Sequence, residues 1–354
     1  MNSGALDDAY ERLHRMGPEY EGDRDHNNGL TNHGPMAAEV LARRGYGDRI
    51  GRWVDGYLPR LVELPDTRQP IAEANWTAAL GDGSRVADWV DHFRRELADR
   101  PWREVLVEWW PRLLPGIVAG STHGLIRVGH AVRALQDGAT GPAGLDEFGH
   151  GLAFWAARSR PVPAAHRPAG HLEPDQALAG IPHLADQSGL IVQRLGRLAE
   201  LPGWPAAQAA LRAPAAPAEV PELLERLVDA AVLRYLERGH GSPVLLVHTA
   251  TAPNAVLHTL PLLPDELWAP SLAAVWSASA AIVSAYEPAQ PLARAELPAA
   301  PRGDDPATAI VERATDHGDE HVMKFTDTAV EAYERTGDPD TLAAARHIVE
   351  LTCR

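Results

Sequence analysis

Pro221-Glu-Leu-Leu-Glu-Arg-Leu-Val-Asp-Ala-Ala-Val-Leu-Arg-Tyr-Leu236 has the pattern of an amphipathic helix, and this stretch decides the fold class. Its apolar residues recur at three- and four-residue intervals, as one face of an α-helix requires. Helical patterns continue outward to Ser271–Tyr286 and, near the end of the chain, to Ala307–Thr336 and Pro339–Thr352. The sequence shows no alternating strand pattern and no repeat of fixed period. The chain is therefore predicted to be all-α, or mostly α.

Proline and glycine punctuate these helices. In Asn32-His33-Gly34-Pro35, Asn32 is the expected N-cap of a helix and Pro35 fits its first turn. Residues 102–118 are apolar, but two prolines, Pro111 and Pro115, are expected to kink or break a helix there. The apolar run 244–248 fits either a strand or a buried helix, because it is too short for its periodicity to decide.

The domain organisation is predicted from length and from loop composition. A chain of 354 residues, 45% of them hydrophobic, is long enough for one large domain or two ordinary ones. Segments rich in Gly, Pro and Ala are predicted as loops or linkers at 136–180, 212–221 and 288–306. We expect a single helical domain over 1–354 that contains these loops.

Charge and cysteine content exclude several classes of protein. The formal net charge is -15 and no basic stripe is present, which argues against a nucleic-acid partner. The only cysteine is Cys353, so neither a disulfide framework nor a Cys-based zinc site is expected. The N-terminus resembles no signal peptide, and no apolar run reaches the ~18 residues of a membrane span. We therefore expect a cytoplasmic protein with no membrane partner.

The strongest chemical signal is Lys324 in His317-Gly-Asp-Glu-His321-Val-Met-Lys324, because it is the only lysine among 33 Lys and Arg residues. A buried lysine can lose its proton or be carbamylated, whereas arginine stays charged. On one helix, His317, His321 and Lys324 would share a face, as ligands of one site do. The alternative is a solvated polar helix face on which Lys324 has no chemical role.

Other histidines lie at the edges of apolar segments. His123 and His130 are seven residues apart in an apolar helix, with Arg127 between them, and His248 ends an apolar run. His33 precedes a helix, where a ligand or anion is tolerated. Each has a plain structural alternative: a satisfied buried histidine, a histidine at the core edge, or a capping turn.

Several common active-site motifs are missing. The sequence contains no His-Glu-x-x-His, no Cys-x-x-Cys and no Gly-x-Ser-x-Gly. Gly45-Tyr-Gly47-Asp-Arg-Ile-Gly51 nearly matches a dinucleotide loop, but its last glycine comes one residue too late and no strand precedes it. A conventional flavin or nicotinamide domain is not supported.

Taken together, the four histidine-bearing segments resemble the questin oxidase-like family of α-helical proteins. The matching stretches, in the family's order over about four-fifths of the chain, are Asn32-His33-Gly34-Pro35-Met36-Ala-Ala-Glu39, Thr122-His123-Gly-Leu-Ile-Arg127-Val-Gly-His130-Ala, Leu246-Val-His248-Thr-Ala-Thr and Gly318-Asp-Glu-His321-Val-Met-Lys324. Any one stretch is weak, and the ordered set is fairly specific.

The resemblance implies an enzyme that uses O2 and non-haem Fe(II) to oxidise an aromatic polyketide or anthraquinone-like small molecule. Its reaction would be oxidative C–C cleavage or a Baeyer–Villiger-type oxidation. It places the metal ligands at His33, His123, His248, His321 and a carboxylated Lys324, with His130 and His317 as alternates. Four neutral imidazoles leave the charge of a divalent metal uncompensated, and a CO2-derived carbamate on Lys324 would supply the missing anionic oxygen.

Two further functions compete with this oxygenase. A carbamylated lysine also bridges two metals in hydrolases, for which Asp316 and Asp319 are the candidate extra carboxylates. A non-catalytic ligand-binding protein would hold its histidines as core residues. Lys324 and Arg127 are the candidate catalytic residues, Arg127 as a binder of phenolate or carboxylate or else as a structural arginine. The reductant, NADPH included, and the oligomeric state are left open.

Four tryptophans are candidates for an aromatic substrate pocket, with core packing as the alternative role. They are Trp76, Trp109, Trp110 and Trp155.

Overall fold

The computed structural model describes residues 3–19 and 31–353, and this part of the chain is mostly helical. It contains eighteen α-helices and one antiparallel pair of short strands, in which Met16 pairs with Glu63 and Glu19 with Leu61. The predicted mostly-α fold is confirmed. The backbone contacts group the chain into two compact units, Met1–Pro161 with Pro261–Pro264 and Val162–Leu260 with Asp265–Arg354. Whether the chain folds as the single predicted domain stays a prediction.

In the first unit, several of the long helices contact helices that are near them in the chain. Its elements are α1 (Ser3–Leu13), β1 (Met16–Glu19), α2 (Gly34–Arg43), α3 (Ile50–Tyr57), β2 (Leu61–Glu63), α4 (Trp76–Ala79), α5 (Val86–Asp99), α6 (Trp102–Leu113), α7 (His123–Gln136) and α8 (Pro142–Ala157). Helix α8 packs against α5 on one side and α7 on another, and α7 also contacts α2. Helices α2, α7 and α8 carry or adjoin His33, His123, His130 and His150.

The second unit is built around a long central helix. Its helices are α9 (Pro174–Ala179), α10 (Ile191–Gly196), α11 (Trp204–Ala210), α12 (Val220–Arg238), α13 (Pro243–Leu246), α14 (His248–Thr259), α15 (Trp268–Tyr286), α16 (Pro306–His317), α17 (Glu320–Thr336) and α18 (Pro339–Thr352). The amphipathic stretch that predicts the fold class forms α12, which contacts α9, α14, α17 and α18. Helix α14 also packs against α17. The apolar residues of α12 form the core of this unit, because several helices cover them.

Short 3-10 turns connect many of these helices. They are Gly47–Arg49, Leu58–Arg60, Gly83–Arg85, Leu114–Gly116, Arg197–Glu200, Pro217–Glu219, Gly239–Gly241, Leu260–Leu262, Asp265–Leu267 and Arg294–Glu296. One of them carries Pro115 and ends α6, as predicted, whereas α6 continues through Pro111. The run 244–248 is helical rather than a strand, since Pro243 begins α13 and His248 begins α14.

The predicted helix Ala307–Thr336 is wrong as one element. Helix α16 ends at His317, Gly318 takes a left-handed φ of 79°, and α17 begins at Glu320. The Asp319 carboxylate accepts the backbone N–H groups of His321 and Val322, so it caps the new helix. A left-handed glycine followed by an aspartate cap is a local signal for one helix ending and another beginning.

One segment, Asp265–Tyr286, is long and apolar enough to cross a membrane by length and composition alone. It contains α15, and 67% of its most apolar window is buried inside the protein. Small residues such as Ser277, Ala278 and Ala281 let this helix pack closely within the second unit. That degree of burial is typical of a core helix in a soluble protein.

Candidate functional site

The first unit holds a buried histidine pair. His33 is the residue before α2 and His123 is the first residue of α7. Their Nε2 atoms lie 2.8 Å apart, and their rings meet edge to face with centroids 4.6 Å apart. Both side chains are buried. Two ring nitrogens that face each other this closely either share one proton or both present lone pairs to a cation.

The backbone around His33 is fixed on several sides. The His33 N–H donates to the Tyr57 hydroxyl at 2.6 Å. The helix cap is His33 rather than the predicted Asn32, although the Asn32 side-chain oxygen accepts the Gly34 N–H at 3.0 Å. Pro35 lies in the first turn, as predicted. A Cβ on Gly34 would lie 2.8 Å from side-chain atoms of Leu13 and Tyr57, so a larger residue beside His33 would require these side chains to move.

A left-handed turn orients His123. Gly120, Ser121 and Thr122 have consecutive φ angles of 53°, 61° and 69°, and such angles are costly for residues other than glycine. The turn brings the Gly120 carbonyl onto the His123 Nδ1. Since a carbonyl only accepts, Nδ1 carries the proton and Nε2 presents its lone pair, the tautomer that binds a metal. A hydrogen bond of this kind is the usual support of a metal-binding histidine.

Close helix packing also holds this end of α7. A Cβ on Gly124 would lie 2.6 Å from the Trp155 Cα, so α7 and α8 are in close backbone contact one residue after His123. Thus a glycine follows each histidine of the pair. The motifs His33-Gly34 and His123-Gly124 are visible in the sequence. The close packing that favours a glycine at each second position is visible only in the structure.

His130 lies in a different environment from His123. Its Nδ1 is 2.8 Å from the Glu39 Oε2, and Arg133 donates two hydrogen bonds to the same carboxylate. Burial alone would raise the pKa of Glu39, but the charges and hydrogen bonds of Arg133 and His130 lower it to about 2. His130 therefore belongs to a buried ionic cluster, and the structure brings His123, not His130, against His33.

Arg127 likewise forms an ion pair with a carboxylate, that of Glu147. Its Nε and Nη2 donate to the two oxygens of Glu147 at 2.6 and 2.7 Å, and both side chains are buried. This bidentate geometry is typical of a structural ion pair. It favours the structural alternative for Arg127 over a role in binding substrate.

Two further histidines of the first unit were not predicted. His14 and His150 stack with ring centroids 4.9 Å apart. Burial, and next the charge of Arg127, lowers the pKa of His14 to about 3. Burial also lowers the pKa of His150, with His14 and Arg127 adding to the effect. Both rings are neutral at pH 7. No local motif marks them, because their partners come from distant segments.

The second unit holds His248, His321 and Lys324. His248 begins α14, and His321 and Lys324 lie one turn apart on α17. The two imidazole rings are 5.8 Å apart, and all three side chains are buried. Burial, and then the charge of Lys324, lowers the pKa of His321. A neutral imidazole beside a buried lysine amine is a suitable precursor of a metal site with a carbamate ligand.

His317 does not share the face of His321 and Lys324. It ends α16, its Nδ1 accepts the Asp319 N–H at 3.4 Å, and its Nε2 lies 3.3 Å from the Thr352 hydroxyl. The predicted three-residue face is therefore wrong for His317, because the helix breaks at Gly318.

Carboxylates lie close to His321. The groups of Asp319, Glu320 and His321 offer ligand atoms that all lie within 4.8 Å of one another. Burial alone would raise the pKa of Asp319, but its contact with the His321 side chain and the hydrogen bonds from the His321 and Val322 N–H groups lower it. Asp316, the other carboxylate considered for a second metal, is exposed.

A further buried polar group, also missed, links α14 to α17. Asn254 Nδ2 donates to Glu331 at 2.7 Å and to the Thr328 hydroxyl at 3.4 Å. His258 Nε2 lies 3.1 Å from the same Glu331 carboxylate. These contacts join residues more than seventy positions apart, so no local sequence pattern predicts them.

The candidate aromatic residues of the first unit pack against one another. Trp76 meets Trp109 edge to face at 5.6 Å, and Trp110 meets Trp155 in the same way at 5.3 Å. Three of the four are fully buried, Trp76 being the exception. This arrangement fits the core-packing alternative.

The comparison with known protein families agrees with the motifs. Residues 52–168 match the family model described as Questin oxidase-like. That segment contains His123, Arg127 and His130. No curated protein matches the chain. The family indicates an oxidoreductase that acts on a polyketide-like substrate. The predicted resemblance to the questin oxidase-like family is thus confirmed over residues 52–168.

Proposed function

We propose that the protein is a non-haem Fe(II) oxygenase that uses O2 to oxidise an aromatic, polyketide-like small molecule. Its iron ligands would be the five residues that the resemblance implies, His33, His123, His248, His321 and Lys324. The observation that carries the proposal is the 2.8 Å approach of the His33 and His123 Nε2 atoms. Because the His123 Nδ1–H donates to the Gly120 carbonyl, the Nε2 atom carries the lone pair with which His123 would bind the metal.

The second unit supports the same chemistry through Lys324. A neutral lysine amine attacks CO2, forms an N–C bond and releases a proton, so the product is a carbamate with one negative charge. The carbamate would remove the positive charge that now opposes protonation of His321, and it would supply an anionic oxygen ligand. Bound Fe(II) would supply the redox chemistry by which O2 reacts with an organic substrate.

The reaction type sets the need for a reductant. In C–C cleavage that places both atoms of O2 in the product, the substrate supplies all the electrons. In a Baeyer–Villiger-type insertion only one oxygen atom enters the product, and two external electrons reduce the other to water. NADPH is the candidate source of those electrons, through a partner protein, since the described residues contain no dinucleotide loop that follows a strand.

Metal analysis tests the proposal directly. Protein purified without a His-tag under anaerobic, iron-supplemented conditions should hold about one iron per chain. His33→Ala, from the first unit, and Lys324→Ala, from the second, should each lose it, while the exposed His166→Ala should keep it. Loss in both variants would mean that both residues are needed to hold the ion. Iron-free wild type would contradict the oxygenase.

A metal-dependent hydrolase is the second candidate function. The Asp319, Glu320 and His321 group favours it, because carbamylated lysine in hydrolases works with a second metal and additional carboxylates. The same measurement separates the two functions. Zinc at about two ions per chain would favour the hydrolase, and O2 consumption with a hydroxylated anthraquinone would favour the oxygenase. A protein that binds no metal at all would leave only the non-catalytic ligand-binding function.

A further inference from the structure

Helices α14 and α17 of the second unit run side by side in a matched register. His248 faces His321 at one end of their contact, and ten residues later on both helices His258 meets Glu331. Ten helical residues extend over about 15 Å. The contact between the two helices therefore runs from the residues of the candidate site to a partly exposed histidine.

The side of α17 along this contact is polar and yet buried. Lys324, Thr328 and Glu331 occupy positions i, i+4 and i+7, which lie on one face of a helix. Their exposed fractions are 1%, 3% and 9%. Buried polar side chains are normally fully hydrogen-bonded, so any unsatisfied atom among their partners needs a reason.

Asn254, on α14, donates to Thr328 and Glu331, but its own side-chain oxygen is left without a hydrogen bond among the described residues. The Thr328 hydroxyl donates to the Lys324 carbonyl at 3.2 Å, so toward Asn254 it accepts. An ionised Glu331 also only accepts. Both neighbours therefore fix the Asn254 amide with its Nδ2 toward them. The amide oxygen then points the other way.

This amide oxygen has no hydrogen-bond partner among the described residues, and the Asn254 residue is only 4% exposed. An unsatisfied buried acceptor costs about 1–3 kcal/mol, and folded proteins rarely leave one without a donor. Since no described residue donates to this oxygen, the donor would come from a molecule bound next to Asn254.

We propose that Asn254 Oδ1 accepts a hydrogen bond from a hydroxyl group of the bound aromatic ligand, and that Asn254 thereby selects hydroxylated over non-hydroxylated rings. The aromatic class of ligand rests on the proposed function. Glu331 is a positioning residue, since its carboxylate holds Nδ2 and prevents the amide from turning over. His258 supports Glu331 from the partly exposed end.

Equilibrium binding of two anthraquinones of matched size tests this inference. The probes are 2-hydroxyanthraquinone and 2-methylanthraquinone, bound anaerobically to the iron-loaded protein and followed by quenching of tryptophan fluorescence. Hydroxyl and methyl groups have similar volumes, and only the hydroxyl donates. Wild type should bind the hydroxylated probe about 3- to 10-fold more tightly, the worth of one buried hydrogen bond.

Variants of Asn254 and Glu331 test whether Asn254 causes the preference for the hydroxylated probe. Asn254→Leu and Asn254→Ala should remove it, chiefly by weakening binding of the hydroxylated probe. Glu331→Gln keeps an acceptor for Nδ2 and should retain the preference, whereas Glu331→Leu should reduce it. Thermal melting checks that each variant is folded. A merely structural Asn254 would change the melting temperature and leave the ratio of the two dissociation constants unaltered.

Three outcomes would overturn the inference. Equal binding of the two probes to wild type would refute it and leave the proposed function standing. An unchanged preference in both Asn254 variants would do the same. If neither probe binds to iron-loaded wild type, the aromatic ligand class of the proposed function is refuted, and the inference falls with it.

Discussion

The Nε2 atom of His123 faces the Nε2 atom of His33 at 2.8 Å, whereas the Nδ1 atom of His130, the other candidate on the same helix, faces the Glu39 carboxylate at 2.8 Å. His130 is held instead by Glu39 within an ionic cluster. The resemblance alone does not choose between the two histidines, since they are seven residues apart on one face of α7. The geometry favours His123, because its Nε2 atom meets that of His33, whereas the ring of His130 is held in the Glu39 cluster.

We predict that His123→Ala weakens iron binding by more than about 100-fold, because it removes a ligand rather than the support of a ligand. His130→Ala should retain iron, although it weakens the Glu39 cluster and lowers stability. Titration of the metal-free variants with Fe(II) measures both affinities. The assignment is wrong if His130→Ala loses iron and His123→Ala keeps it.

Carboxylation of Lys324 has its own test. Metal-free protein supplied with 13C-bicarbonate and a divalent metal should show a carbamate carbon signal by NMR, because the metal stabilises the modified amine. Lys324→Met is the matched control, since it keeps the length and apolar stem of the side chain and removes the amine. A signal that persists in Lys324→Met would place the carbamate elsewhere, and no signal in wild type would mean that the lysine is not modified.

The sequence predicts the helical class well, because apolar spacing over ten or more residues is a strong signal, as in Pro221–Leu236. It fails at short elements. Strands β1 and β2 have only four and three residues, below the length at which alternation is visible. The break at Gly318 was not predicted, although residues 315–321 contain no apolar residue and the Gly318-Asp319 pair is a local signal for a helix end.

For the site, the rare residue types were predictable and their environments were not. Lys324 and the motif histidines are distinctive in the sequence. The contacts that decide their roles join distant segments, such as the ion pair between Glu39 and Arg133, which are 94 residues apart. The Asn254 amide was missed for the same reason. Neither partner of such a pair is unusual until the fold brings them together.

Relaxing the left-handed turn before α7 should raise the stability of the protein and lower its affinity for iron. Thr122 is β-branched and has φ 69°, so Thr122→Gly should stabilise the protein by about 1 kcal/mol. A looser turn would also hold the Gly120 carbonyl less firmly, and we expect iron affinity to fall about tenfold. Denaturant unfolding and Fe(II) titration measure the two effects.

Thr308→Gly is the matched control for that prediction, because Thr308 lies in helix α16, where glycine is unfavourable. It should destabilise the protein by about 0.5–1 kcal/mol. A Thr122→Gly variant that is destabilised to the same extent would show that the left-handed turn stores no strain.

Arg127 and Glu147 form a fully buried pair, and removing one member leaves the other charged without a partner. Arg127→Met should therefore destabilise the protein by about 3–5 kcal/mol, and the double variant Arg127→Met/Glu147→Leu by clearly less. Thermal or denaturant unfolding measures both. Arg94→Met, which breaks an exposed pair with Asp91, should cost no more than about 1 kcal/mol. If Arg127→Met abolishes substrate binding with stability unchanged, the catalytic alternative for Arg127 is correct.

The buried ring of His14 predicts acid sensitivity in the pH range where enzymes are handled. The unfolded chain protonates His14 near pH 6.5, but burial and the charge of Arg127 lower its pKa to about 3 in the folded protein. The folded state has its full stability above pH 6.5 and loses it as the pH falls toward 3, because only the unfolded chain takes up the proton. At pH 5 this group alone should cost about 2 kcal/mol.

His14→Phe should remove that part of the pH dependence, since phenylalanine keeps the stacking against His150 and Tyr10 and does not titrate. The measurement is the free energy of unfolding at pH 7.5 and pH 5, for the variant and for His166→Gln, in which an exposed histidine is replaced. His166→Gln should lose as much stability as wild type between the two pH values, and His14→Phe about 2 kcal/mol less. A variant that loses as much as wild type would show that His14 takes up its proton without unfolding, and the acid sensitivity would then be sought in His150, whose pKa is lowered mainly by burial.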